Sequence, residues 1–220
     1  METQALIDIF IQNAKEDKVH LDEVKWFFGL PEDMIKNTLQ KVAQNKVIGL
    51  KGFSESFEEK IFALYDGDVE KAFEMYVKYY LNGFNKDRTP FSIPQLSKNA
   101  QVKMLGLSNA KDLLGMYRSY HELCTEAQEI LLSSPELFGE YVMYRKIASS
   151  VLLKMFQADK KEELTAIYIK FYRLNDEDEM NMLKYIPISS KIIVYYIRHY
   201  GFREKTRDLL MVYCLRGLSA

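Results

Sequence analysis

Apolar residues recur at helical spacing along most of the chain, and they set the order of its elements. Leu6, Ile9, Phe10 and Ala14 form a stripe over residues 3–17 that predicts a leading helix. Val19-His20-Leu21 reads as a short extended piece, with Asp22 placed to cap the next helix. Val24 and Phe28 stand four apart, and Ile35, Leu39 and Val42 follow the i, i+4, i+7 rule, so two short helices share one apolar interior that Leu30 joins. Between them, Gly29-Leu30-Pro31-Glu32-Asp33 carries turn chemistry. Glycine admits a positive φ, and proline ahead of two acids suits the first turn of a helix. That second helix is predicted to end near Asn45-Lys46, with Val47-Ile48-Gly49-Leu50 apolar enough for a short strand.

Beyond it the pattern supports either a hairpin of 47–53 and 59–65 around the SESF stretch or a helix over 55–65; the hairpin is favoured. Asp66-Gly67-Asp68 breaks the chain and starts a helix over 68–82. Residues 83–98 hold two of the five prolines and little periodicity, which marks a boundary. The expected organisation is a domain over 1–83, a linker over 84–98 and an all-helical domain over 99–220. In the latter a short helix covers 96–105, and a longer one starts at Ser108, kinked near Gly115 or Thr125. Ser134-Pro135-Glu136 opens a helix running to about Phe156 on the stripe Leu137, Tyr141, Tyr144, Ala148, Val151 and Met155. A helix over 159–173 turns Leu164, Ile167, Tyr168, Phe171 and Tyr172 inward. A short helix then ends at Ile186-Pro187, Ser189 caps a helix that Gly201 terminates, and Arg203–Arg216 forms the last helix. No repeat of fixed period stands out.

The segment 21–48 resembles the helix-turn-helix core of the winged-helix family, and the likeness extends over roughly residues 3–53. Gly29, Leu30, Ile35, Leu39, Val42 and Ile48 stand where that family keeps its glycine and core apolar positions. Two positions depart from the pattern: Lys25 replaces a small residue between the helices, and Lys46 replaces the glycine before the wing strand. The resemblance implies a mainly α chain, with an N-terminal winged-helix-like domain bearing a small β wing and an all-α domain behind it. It also implies DNA as a partner. The second helix would enter a major groove with Lys36, Asn37 and Gln40 outward, and Lys51 in the wing would reach a phosphate.

Charge pulls the other way. Residues 1–54 hold seven lysines and no arginine against eight carboxylates, with Glu32 and Asp33 where a phosphate would approach. The whole chain, 220 residues at net −1, has no general attraction for polyanions. Residues 184–220 are basic, with seven Lys or Arg against two acids. There Arg198, Arg203 and Arg207, with His199, are placed to cluster near Gly201 as a contact for an anion or an acidic partner. Two cysteines are too few for a disulfide framework and point to a reducing compartment. No apolar run approaches membrane-spanning length and the start METQALIDIF lacks a basic leader, so the expected location is the cytoplasm.

Catalytic and metal chemistry find little support. His121 and Cys124 share a helical face, but two donors fall short of the four a zinc site takes, and a partly buried pair is the plainer reading. The acidic run Asp176–Glu179 lacks the glycine and terminal glutamate of a calcium loop and reads as a solvated helix start. No nucleophile elbow, phosphate loop or dinucleotide fingerprint occurs. Each tyrosine doublet, Tyr79-Tyr80 and Tyr195-Tyr196, is expected to bury one ring and hold the other at a rim. The expected function is therefore non-enzymatic and cofactor-free: a DNA-binding regulator or replication-associated protein whose helical domain dimerises or meets partners. The alternative is an interaction protein whose winged-helix-like module binds no nucleic acid.

Overall fold

The computed structural model describes residues 3–44, 55–64, 66–81 and 95–217. The chain is mainly helical, and no strand occurs among those residues. It divides into two compact units, Met1–Cys124 and Thr125–Ala220. The expected linker, 84–98, lies for the most part outside the described residues.

In the first unit the helices are α1 (Thr3–Lys15), α2 (Leu21–Phe28), α3 (Glu32–Gln44), α4 (Glu55–Phe62) and α5 (Asp66–Met75), which continues as a π-helical segment, Tyr76–Leu81, followed by α6 (Lys98–Met104) and α7 (Ala110–Arg118). The leading helix buries Ile7, Phe10 and Ala14 and leaves Ile9 exposed, so the stripe is rotated from the expected one. Phe10 stacks on Phe27, with ring centroids 4.4 Å apart, and meets Phe57 edge-on at 6.0 Å. That aromatic chain makes Phe27, fully buried, the centre of the interior to which Val24, Ile35, Leu39 and Val42 also belong. His20 rather than Asp22 precedes α2. Its backbone N–H donates to Glu23, whose carboxylate also accepts from Asn13 of α1, which fixes how the two helices join.

Residues 55–62 are helical, which corrects the hairpin expected over 59–65. Phe57, Glu58 and Ile61 are all buried, at the i, i+1, i+4 spacing of a helix face, and a strand would have pointed Glu58 away from Phe57. The other expected wing strand, 47–53, and Lys51 fall outside the described residues. The glycine corner exists, but Gly29 has φ −84°, an ordinary right-handed conformation. Its requirement is space: a Cβ there would stand 3.3 Å from the Lys25 carbonyl oxygen.

The second unit contains α8 (Thr125–Leu131), α9 (Pro135–Val142), α10 (Ser149–Gln157), α11 (Lys161–Tyr168), α12 (Asp176–Tyr185), α13 (Lys191–Tyr200) and α14 (Glu204–Gly217). Alternate helices stack: α8 on α10, α10 on α12 and α12 on α14 in one layer, α9 on α11 and α11 on α13 in the other. The first unit follows the same rule, with α2 on α4, α4 on α6, and both α3 and α7 on the π-helical segment. Helix pairs stacked on the pairs before and after them are the organisation of a helical repeat array.

A polar position recurs with the pairs. The fourth residue of α4, α6, α8 and α12 is buried: Glu58, Gln101, Gln128 and Glu179. Each accepts the backbone N–H of the residue just before a later helix: Ser97 at 3.0 Å, Cys124 at 2.6 Å, Ala148 at 2.7 Å and Arg203 at 2.9 Å. In α10 the place belongs to Leu152. The helix expected from Ser134 to Phe156 is two, α9 ending at Val142 and α10 starting after Ala148. Ala148, with an extended ψ of 147° and its N–H held by Gln128, fixes where the second starts, and Tyr144 in the loop between them is 59% exposed. Leu164 and Tyr168 turn inward as expected, whereas Phe171 lies beyond the end of α11 and is exposed. Ser190, not Ser189, caps α13, and Gly201 at φ 64° ends it.

Candidate functional site

Helix α3 presents Asn37 fully outward and Gln40 half outward, opposite the buried Ile35, Thr38, Leu39 and Val42. Lys36 is exposed on the flank, its Nζ 6.0 Å from the centroid of the Tyr79 ring. Tyr79, on the π-helical segment, donates its phenol to Glu32 at the start of α3. Lys78 completes the group, with Nζ 3.6 Å from Glu32 and 5.0 Å over the same ring. The Tyr79 phenol, followed by Lys78, holds the Glu32 carboxyl below the usual carboxylate range. The Glu32 hydrogen bond and burial push the Tyr79 phenol up. Glu32 therefore stands ionised, and with Asp33 it forms an acidic first turn that complements the helix dipole and repels a phosphate. The cations beside them are already shared with Glu32 and Tyr79.

The second candidate surface is at the end of α13. Arg203 and Arg207 line one open depression of about 620 Å³ with Arg173, Lys205, Asp176 and Glu204. Arg198 and His199 are not part of it. Arg198 is exposed on α13, and His199 stacks on Tyr195 at 3.9 Å. Arg203 is oriented by three contacts: its Nε donates to the Leu174 carbonyl at 3.0 Å and lies 3.5 Å from Asp176, and its backbone N–H donates to Glu179. Behind it Glu179 is fully buried and accepts the Tyr196 phenol at 2.8 Å, and the same phenol oxygen accepts the Leu174 N–H at 3.2 Å. Burial, then Glu179, pushes the Tyr196 phenol well above its usual range. The acidic run Asp176–Glu179 is thus a helix start as expected, but its last two carboxylates are buried rather than solvated.

Sequence patterning missed Arg173. A signal for it exists, since Tyr117-Arg118, Tyr144-Arg145 and Tyr172-Arg173 follow one another at 27 or 28 residues. His121 lies 5.1 Å from the Tyr117 ring and Cys124 is half-buried, and among the described residues no three metal-ligating side chains come together. No helix of the described residues is long and apolar enough to cross a membrane. No protein-family model, curated protein or solved structure matches the chain.

Proposed function

We propose that this chain is a non-enzymatic interaction protein whose stacked helix pairs form docking surfaces for other proteins. The observation that carries the reading is the alternate stacking of helices, with α2 and α3 taking their places as one more pair: α2 lies on α4, and α3 lies on the π-helical segment. A helix pair used this way buries its apolar faces against its neighbours and offers its outer faces and connecting loops to partners. The charge of the α3 corner supports the same reading, because Glu32 and Asp33 oppose the phosphate contacts on which duplex affinity depends.

A second reading, a winged-helix DNA-binding protein with a helical body for dimerisation, rests on one observation: Asn37 and Gln40 do face away from the interior. Fluorescence anisotropy with a labelled mixed-sequence DNA duplex at low and moderate salt separates the two. The interaction reading predicts no binding that depends on α3. Binding that weakens steeply with salt and is abolished by Lys36→Glu with Asn37→Ala would replace it with the DNA reading.

A further inference from the structure

In the second unit the loops that close one helix pair and open the next differ in chemistry from the loops within pairs. The three between-pair loops are 143–148, 169–175 and 201–203; they carry Arg145, Lys146, Lys170, Arg173 and Arg203 and no carboxylate. The within-pair loops 132–134, 158–160 and 186–190 carry one cation and one acid. Contacts place the three between-pair loops side by side. Lys146 of the first lies 5.5 Å over the Tyr172 ring of the second. The Tyr200 phenol donates to the Ile169 carbonyl at 3.0 Å, and Arg203 of the third donates to Leu174 of the second. Arg173 then continues into the depression that Arg203, Lys205 and Arg207 line. Interleaved with these cations are exposed apolar side chains: Met143, Tyr144 and Phe171.

We infer that this edge of the second unit docks an extended polypeptide segment rich in carboxylates and in aromatic or aliphatic side chains. This deepens the interaction reading and rests on it. Cations spaced along successive loops match carboxylates spaced along a strand of peptide, and the exposed rings between them match apolar side chains at the intervening positions. Single-stranded nucleic acid also combines charge with rings, but its phosphates are continuous. At the far end of the edge Asp176, Glu204 and Asp208 stand among the cations, and they would meet that unbroken charge. A peptide can present an uncharged or basic residue at those places.

The test uses the full chain and three labelled probes: a random copolymer of glutamate and tyrosine, polyglutamate, and single-stranded oligothymidylate. The copolymer is expected to bind most tightly, more weakly as salt rises, and about tenfold less well to Lys146→Glu with Lys170→Glu and Arg173→Glu, a loss of the size that several partly exposed charge pairs supply. Tyr144→Ser with Phe171→Ser is expected to erase the advantage of copolymer over polyglutamate while leaving the salt dependence in place. Circular dichroism of each variant checks that these exposed substitutions leave the fold intact. No binding of the copolymer, or binding indifferent to the charge reversals, overturns the proposal, as does tighter binding of oligothymidylate. None of these outcomes requires duplex binding through α3, so the failure of this edge and the failure of the interaction reading are read in different experiments.

Discussion

Glu179 and Tyr196 meet inside the second unit, phenol to carboxylate at 2.8 Å, with neither side chain reaching water. Glu58 and Tyr76 repeat the relationship in the first unit at 3.1 Å. In each case the carboxylate's other oxygen holds the backbone N–H in front of a later helix. A buried carboxylate is costly unless its lone pairs are filled, so these bonds fix where one helix pair ends and the next begins.

Removing one partner should therefore cost more than removing an ordinary hydrogen bond. Tyr196→Phe leaves Glu179 buried with a donor missing, and urea denaturation should show a loss of about 1–3 kcal/mol. Glu179→Ala also frees the Arg203 N–H and opens a cavity, so a larger loss is expected. A loss near zero for Tyr196→Phe would mean that water or another donor already serves Glu179.

Burial pushes the phenols of Tyr117, Tyr168 and Tyr196 above their ordinary range, with Glu179 adding to the effect at Tyr196. A phenol whose folded pKa is raised stabilises the fold below its unfolded value, about pH 10, and that contribution is lost as pH climbs from there toward the folded value. Stability should hold through neutral pH and fall in alkali. Phenolate absorbance should show a group of tyrosines that ionise only as circular dichroism reports unfolding.

The recurring carboxamides make the same claim without charge. Gln128→Leu keeps the volume roughly but strands the Ala148 N–H, and Gln101→Leu does the same to Cys124. Each should cost about 1–3 kcal/mol, the penalty of a buried unsatisfied donor. At Leu152 the natural chain already has the apolar choice, so Leu152→Gln should not stabilise.

The two glycines that close helices differ in kind. Gly201 has φ 64° and ψ 155°, a region that is essentially glycine's alone, with open space where a Cβ would stand, so Gly201→Ala should cost about 1–3 kcal/mol in backbone strain alone. Gly29 has no such strain, and Gly29→Ala is resisted by the Lys25 carbonyl 3.3 Å away. Thermal melts of the two variants compare them, and Gly201→Asn should recover none of the loss at 201, because a positive φ with ψ 155° is a region that only glycine adopts freely.

Most helices were legible from apolar spacing, because each buries one face and its residues recur at i, i+3 and i+4. Their breaks were less so. α7 and α9 end at Arg118 and Val142, and where the next helices start, after Cys124 and Ala148, is fixed by bonds to Gln101 and Gln128, twenty or more residues upstream; a window of the sequence does not hold both ends of such a bond. The choice between wing and helix at 55–65 failed for a similar reason, since Glu58 looks like a solvent-facing residue until Tyr76 and Ser97 are brought to it. The α3 face was legible, with Asn37 and Gln40 turned outward, but Tyr79 beside Glu32 and Lys36 was not. The repeat escaped because its spacing varies from 24 to 28 residues between successive helix starts at Lys98, Thr125, Ser149, Asp176 and Glu204.

Hydrogen–deuterium exchange of the full chain, with and without the glutamate–tyrosine copolymer, tests the docking edge most directly. Protection is predicted in 143–148, 169–175 and 201–203 together, with α3 unchanged. Protection centred on α3, or none at the three loops while the copolymer is bound, would contradict it.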